Sequence, residues 1–213
     1  MAGRKLIKSY LSPKNSLSIA MLSLHSSPIG KLGTRDTGGM SVYIRDVALE
    51  LGRLGHAVDI YTGRPGGPGE ETISLGKNVN LIRLSSGDGR NTSTAFYRQV
   101  PIFFKELEVF RNRHSIDYDV IHSHYWLSGC LGKMAHERWE RPHVVTFHTL
   151  AAMKNSIGIG KPEPAIRLAT ERQLVCECQR IISATEREKE QLKRFYNAAP
   201  EKVAIIPCGV ALE

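Results

Sequence analysis

The chain has 213 residues, 41% of them hydrophobic, which suffices for one large domain or two small ones with a substantial core. Its 29 basic and 21 acidic residues give a formal net charge of +8, which favours anionic ligands: phosphorylated metabolites, nucleotides, nucleic acid or an acidic membrane surface. No run of about 18 apolar residues and no secretory leader is visible, so we expect a soluble, cytoplasmic protein.

The predicted elements alternate between strands and helices after a basic tail over residues 1–15. Strands are predicted over Ser16–Leu24, residues 56–62, Val79–Leu84, Asp119–His124, His143–His148, Arg180–Ala184 and Lys202–Pro207. Helices are predicted over Met40–Leu54, Phe96–Arg113, a segment ending near Arg138, Glu163–Gln179 and a segment from Thr185 to about Tyr196, where Thr185 and Glu188 form a capping box.

This alternation predicts an α/β fold, a Rossmann-like doubly wound parallel sheet of about seven strands in one domain over residues 16–208. The segments RPGGPGEE and SGDGRNTST are expected to be surface loops within that domain.

Three of the buried strands end in hydroxyl and imidazole side chains. The first strand runs into HSS (25–27), the fourth into HSHY (122–125) and the fifth into TFHT (146–149). Exposed strand ends tolerate polar residues, which is a purely structural explanation. However, ligands of open parallel sheets bind at the carboxyl ends of the strands, so the three endings together indicate a binding site.

Gly38 and Gly39 lie between the first strand and the first helix. A helix that begins there presents free N–H groups and the positive end of its dipole to an anion, and glycine permits close approach. A plain tight turn would explain the pair equally well. The segment matches neither the dinucleotide fingerprint nor a phosphate-binding P-loop, which argues against a dehydrogenase or an ordinary ATPase.

Two further groups of side chains have open interpretations at this stage. His122 and His124 would project from one face of a strand, but no third ligand at motif spacing completes a metal set, so we expect no metal. Lys154 and Arg167 could bind a phosphate, or they could be solvated surface charges.

Several long segments resemble the amino-terminal half of the retaining glycosyltransferases of family 4, which have the GT-B architecture. These segments are HSSPIGKLGTRDTGGMSVYI, ELGRLGHAVDIYT, IHSHYWLSG, FHTLAAMKNS, ERQLV and VAIIPCGV. The resemblance implies transfer of a sugar, with retention, from a nucleotide sugar, expected to be UDP-linked, to a small phosphorylated sugar or cyclitol. It implies no other cofactor.

The resemblance also implies roles for individual residues. Gly38 and Gly39 would lie beside the donor diphosphate and the acceptor, and His148 would contact the transferred sugar, so that Gly39 and His148 are the predicted catalytic residues. Further predicted acceptor contacts are Ser41, Arg90, Tyr125, Thr149, Lys154 and Arg167. Ser41 stands where the members acting on inositol phosphate usually have Asn. Arg90 is the only basic candidate where they have a lysine, and arginine does not bind phosphate in the same geometry.

Members of the family bind the nucleotide sugar chiefly in a second, carboxy-terminal domain with a Glu-x7-Glu motif. Residues 209–213 are expected to begin the linker to such a domain, which this chain does not contain. Glu163 and Glu171 have the Glu-x7-Glu spacing, but they belong to this half, and we interpret the match as coincidence.

We therefore expect an acceptor-binding half of a glycosyltransferase that is inactive alone and works with its own carboxy-terminal domain. The alternative is a non-catalytic α/β module that binds a phosphosugar or a nucleotide. Nucleic acid is not an expected partner, because no concentrated basic patch with interleaved aromatics is visible. Weak association with an acidic membrane surface stays compatible with the charge.

Overall fold

Eight strands form one sheet in the computed structural model, which describes residues 16–29, 38–64, 70–85, 93–158 and 160–209. The strands are β1 (Ser18–Leu22), β2 (Ala57–Arg64), β3 (Glu71–Gly76), β4 (Val79–Ser85), β5 (Val120–His124), β6 (His143–Thr146), β7 (Arg180–Ser183) and β8 (Val203–Ile205). Their order is β3-β4-β2-β1-β5-β6-β7-β8, and only the β3–β4 pair is antiparallel. The predicted parallel α/β sheet is therefore confirmed.

The edge strand β3 is the one strand that the prediction lacked. Its residues alternate between partly buried and exposed, and it joins β4 through Lys77 and Asn78, with Asn78 at φ 62°. The alternation T-I-S-L is a strand signal, but it is only a few residues long and follows a Gly-Pro-rich loop. The two ends of the predicted loop RPGGPGEE belong to strands, because β2 extends to Arg64 and β3 begins at Glu71, while residues 65–69 lie outside the described residues.

Six α-helices lie among the described residues. They are α1 (Gly39–Arg53), α2 (Ser93–Arg113), α3 (Tyr125–Trp139), α4 (Ala151–Ile157), α5 (Ala165–Glu177) and α6 (Glu186–Tyr196). The short helix α4 was not predicted. The capping box of α6 is confirmed, since the Glu188 N–H donates to the Thr185 hydroxyl at 3.1 Å. Within the described ranges, no helix combines the length and the apolar character that a membrane span needs.

Helices cover both faces of the sheet, as a doubly wound fold requires. Successive residues of β1 point to opposite faces: Ile19 and Met21 pack in the cluster of α1, while Ala20 and Leu22 pack in the cluster of α2 and α3. A third cluster joins β6, β7 and β8 to α5 and α6. Burial of apolar side chains on both faces therefore stabilises the strands, and it holds the carboxyl ends of the parallel strands along one edge of the sheet.

Gly132 lets α3 lie very close to the sheet. A Cβ at this position would stand 2.1 Å from Ser123 Oγ and 2.3 Å from His143 Nε2, two atoms that are themselves hydrogen-bonded at 2.7 Å. We expect Gly132→Ala to lower the free energy of unfolding by about 1–3 kcal/mol, because α3 must move away from the sheet. Chemical denaturation measures this loss, and a variant as stable as the parent would contradict the close packing.

Candidate functional site

The carboxyl ends of β1 and β5 form the crevice where the sheet topology predicts a ligand. From β1 the chain builds outward through β2 and β4, and it then returns to β5 on the opposite side of β1. In doubly wound sheets, ligands bind where the connections of two neighbouring strands diverge in this way. His25 follows β1, Tyr125 follows β5, and their ring centroids lie 4.6 Å apart. Two of the three polar strand endings thus meet at the crevice.

A row of three imidazoles, the histidine row of His122, His124 and His148, connects the ends of β5 and β6. The rings of His122 and His124 project from the same face of β5, with centroids 4.2 Å apart. His122 Nε2 lies 2.9 Å from Thr146 Oγ1, and His124 Nδ1 lies 3.0 Å from Nε2 of His148. The third polar ending therefore joins the other two, as the strand pattern predicted.

These histidines are neutral near pH 7. Burial lowers the pKa of His122 and of His148 to about 4, with smaller contributions from His148 and His25 respectively. Burial also lowers the pKa of His124 well below its ordinary value. Neutral rings can exchange hydrogen bonds with hydroxyl groups, so the row suits an uncharged polyol better than an anion.

Two residues at this edge have left-handed backbone conformations. Tyr125 has φ 74° and His148 has φ 62°; such angles are uncommon for residues other than glycine and especially so for a bulky residue such as tyrosine. Backbone strain of this kind costs of order 1–3 kcal/mol and clusters at ligand sites. Both outliers coincide with residues that the sequence identified, which strengthens the assignment of this edge as the functional one.

The glycine pair begins α1 beside the histidines. Gly38 is the N-cap, with φ −135°, and no side chain caps the first turn. Neither glycine has a left-handed φ, and no heavy atom of the described residues lies within 4 Å of a Cβ built on either. The ring of Tyr43, one turn further on, lies edge-on to His148 at 5.3 Å. Among the described residues, which leave out 30–37, backbone geometry and packing do not require glycine here, whereas close approach of a ligand would.

Arg167 is the centre of a second cluster in the same region. Its guanidinium pairs with Glu163 at 2.9 Å and with Glu171 at 2.7 Å, and it donates to the carbonyl and the hydroxyl of Thr149 at 2.9 Å each. It also lies over the Tyr125 ring, 4.7 Å from the centroid. Arg167 is only 1% exposed. Arg167 is therefore a buried structural cation that faces two of the predicted acceptor contacts.

Lys154 completes this group, because its ammonium pairs with Glu163 from the exposed side. The structure thus brings together Tyr125, Thr149, Lys154 and Arg167. Ser41 is instead fully buried against the segment that follows β1, with its hydroxyl 2.5 Å from that of Ser26. The predicted contact Arg90 lies outside the described residues. In the part of the chain that is described, no three His, Cys, Asp or Glu side chains lie close enough to hold a metal ion.

Sequence reasoning did not identify the function of Glu163 and Glu171. Both were noted for a spacing of eight, but the informative feature is that each lies four residues from Arg167. Residues four apart are neighbours on a helical surface, which places Glu171 beside Arg167 within α5, and Glu163 completes the ion-pair ladder from just before that helix. That signal was available in the sequence, although nothing in it indicated that the ladder would be buried.

Comparisons with known proteins bear on the family and the fold of the chain. The family model described as Glycosyltransferase Family 4 matches residues 37–213 of the chain. D-inositol 3-phosphate glycosyltransferases from Corynebacterium kroppenstedtii and Mycobacteroides abscessus are each 39% identical, over 90% and 92% of this chain and 43% and 45% of their own lengths.

Among solved structures, sucrose-phosphate synthase from Thermosynechococcus elongatus matches with a TM-score of 0.83 at 24% identity, over 91% of this chain and 48% of its own. Anabaena Alr3699/HepE in complex with UDP and glucose matches with a TM-score of 0.58 at 14% identity, over 91% and 45%. These likenesses bear on the fold. The chain spans about half the length of the relatives it matches.

Proposed function

The chain belongs to glycosyltransferase family 4, and on that premise we propose that it is the acceptor-binding half of a retaining glycosyltransferase. The acceptor is a small phosphorylated cyclitol or sugar, and the donor is a nucleotide sugar, most simply a UDP-sugar. The observation that carries this proposal is the convergence of Tyr125, Thr149, Lys154 and Arg167 beside the neutral histidine row and the amino terminus of α1.

The acceptor phosphate would lie against the cluster of Arg167 and Lys154, on the side of the half-exposed Lys154. Lys154 is half-exposed and can turn its ammonium from Glu163 to a phosphate, while the Tyr125 and Thr149 hydroxyls can donate to phosphate oxygens. Arg167 would contribute its charge from beneath. Arg90, which lies outside the described residues, would be a further contact to the acceptor phosphate. The names of the relatives, an inositol phosphate enzyme and a sucrose-phosphate enzyme, support an acceptor of this class.

The transferred sugar would lie across the histidine row, with His148 donating to or accepting from one of its hydroxyls. Its diphosphate would approach Gly38 and Gly39, which would also border the acceptor, and the N–H groups and dipole of α1 would stabilise the charge that builds on the leaving group. The chemistry is cleavage of the bond between the anomeric carbon and the diphosphate oxygen through an oxocarbenium-like transition state. The acceptor hydroxyl attacks that carbon on the same face, and its proton passes to the departing nucleoside diphosphate.

A donor domain of the same protein would supply the main nucleotide site. The match to about half of each relative supports this arrangement. Closure of the two domains would align the acceptor hydroxyl with the anomeric carbon and exclude water. On this proposal, the present chain binds the acceptor and does not catalyse transfer alone.

Titration calorimetry of the chain with inositol phosphate, fructose 6-phosphate, UDP and a UDP-sugar tests the proposal. We expect saturable binding of one sugar phosphate, weakened in Tyr125→Phe, Thr149→Val, Lys154→Ala and Arg90→Ala but unchanged in Lys193→Ala, an exposed lysine on α6. Tight UDP binding without sugar-phosphate binding would instead identify a non-catalytic nucleotide-binding module.

Gly39→Ala separates a ligand-binding role of the glycine pair from a conformational one. Because the Cβ meets open space among the described residues and φ is ordinary, stability should stay the same or rise by up to about 1 kcal/mol. Binding of the phosphorylated acceptor should weaken by about tenfold, since the added methyl occupies the approach to the backbone. Calorimetry and thermal unfolding measure the two effects.

Gly55→Ala is the matched control for this substitution. Its Cβ also meets open space, but Gly55 has φ +96° at the end of α1. This variant should lose about 1–2 kcal/mol of stability and keep its acceptor affinity. The reverse pattern in the two variants would contradict the ligand-binding role of Gly39.

A further inference from the structure

Helix α4 begins two residues after Thr149 and carries Lys154, yet its own sequence gives it no cap. The N-cap residue is Leu150, which is buried and makes no side-chain hydrogen bond to the first turn. The helix has seven residues, and helices this short are not stable by themselves in water. Its position must therefore be fixed by contacts from other elements.

Two other helices supply the missing caps. The Ala151 N–H donates to Glu171 Oε2 of α5 at 2.8 Å, and the Ala152 N–H donates to the Tyr196 hydroxyl of α6 at 3.0 Å. The Tyr196 hydroxyl in turn donates to Glu171 Oε2. Glu171 is completely buried and Tyr196 is 6% exposed. Burial, with the neighbouring Glu171 carboxylate, raises the pKa of Tyr196, so this hydroxyl keeps its proton.

The same network reaches the predicted acceptor contacts. Glu171 accepts from Arg167 Nε, and Arg167 donates to both oxygens of Thr149. Three consecutive attachments therefore hold this segment: Thr149 by Arg167, Ala151 by Glu171 and Ala152 by Tyr196. His148, the residue before Thr149, has a left-handed φ of 62°, and such a conformation persists only where surrounding contacts determine it fully.

We propose that Glu171 and Tyr196 are positioning residues of the acceptor site, which hold Thr149 and Lys154 in place by capping the amino terminus of α4 from α5 and α6. This inference rests on the proposed acceptor-binding function. Neither residue touches the acceptor in this scheme. Both act through the backbone of the segment that does.

Tyr196→Phe tests the proposal, because it removes one hydroxyl without changing the volume of the ring. Tyr61→Phe is the matched control, since it removes a buried hydroxyl, 2.6 Å from that of Tyr118, far along the chain from α4. Hydrogen exchange followed by NMR reports each amide, and titration with inositol phosphate and fructose 6-phosphate reports the acceptor site. In the unmodified chain, the amides of Ala151 and Ala152 should be protected, unlike those of an ordinary first turn.

In Tyr196→Phe we expect the Ala152 amide to exchange about tenfold faster and the acceptor affinity to fall by about tenfold, with the core amides of β5 unchanged. Tyr61→Phe should change neither quantity. Unchanged exchange at Ala152, or faster exchange with full acceptor affinity, would overturn the positioning role. A parent chain that shows the protected amides but binds no sugar phosphate would overturn the acceptor-binding function itself, so the two failures are distinguishable.

Discussion

Replacement of Arg167 with methionine is expected to lower the free energy of unfolding by about 3–5 kcal/mol, the loss typical when one partner of a buried ion pair is removed. Methionine fills much of the volume of the side chain but leaves Glu171, which is completely buried, with a negative charge and no cation. The variant also loses both hydrogen bonds to Thr149. Denaturant unfolding of the isolated chain measures the change.

The double variant Arg167→Met/Glu171→Gln is the control. The amide of glutamine carries no charge, and its oxygen can still accept from the Ala151 N–H that Glu171 now caps. The double variant should therefore be more stable than Arg167→Met alone. If the single variant costs less than about 1 kcal/mol, the pair is hydrated like a surface salt bridge. A loss of acceptor binding in Arg167→Met has to be interpreted against this loss of stability.

Acidification from about pH 6.5 to about pH 4 is expected to destabilise the fold strongly, because the unfolded chain binds protons that the folded chain excludes. Burial lowers the folded-state pKa of His122 and His148 to about 4 and that of His143 to about 3. A lowered pKa gives stability that is present above the unfolded value and is lost as the pH falls. Each histidine contributes on the order of 3 kcal/mol to this loss at pH 4.

Urea unfolding at a series of pH values measures this dependence. His143→Gln keeps a hydrogen-bonding group beside Ser123 but removes one titrating ring. The number of protons taken up on unfolding should therefore fall by about one, and the unfolding free energy should change less steeply with pH. If the parent chain has constant stability from pH 7 to pH 4, the buried histidines are accessible to water and this account of them is wrong.

The sheet, and the convergence of the polar strand endings that form the candidate site, could be predicted from the sequence because both depend on local patterns. Apolar runs that end in HSS, HSHY and TFHT identify the strands and the edge at which they end. The parallel orientation of the strands then follows from the helices between them. The edge strand β3 and the short helix α4 were missed because each has few residues and little pattern of its own.

The hydrogen-bond network around Arg167 and α4 could not be predicted in the same way. Glu171 caps a residue 20 positions earlier, and Tyr196 caps one 44 positions earlier. Such contacts depend on how α4, α5 and α6 pack, and no periodicity within any one of these helices encodes that packing. The buried position of Ser41 is a similar case, because it depends on packing against Ser26, which lies 15 positions earlier in the chain.

The adjacency of β1 and β5 bears on the order in which the chain folds during synthesis. The Ser18 N–H donates to the carboxylate of Asp119, 101 residues later, and β5 pairs with β1 in the same register. The β1–β2–β4 half of the sheet can therefore assemble on the ribosome while β1 still has one unpaired edge. Pairings between such distant segments form slowly, and an open strand edge invites association with other chains. A nascent chain that pauses before residue 120 is expected to be the form most dependent on chaperones.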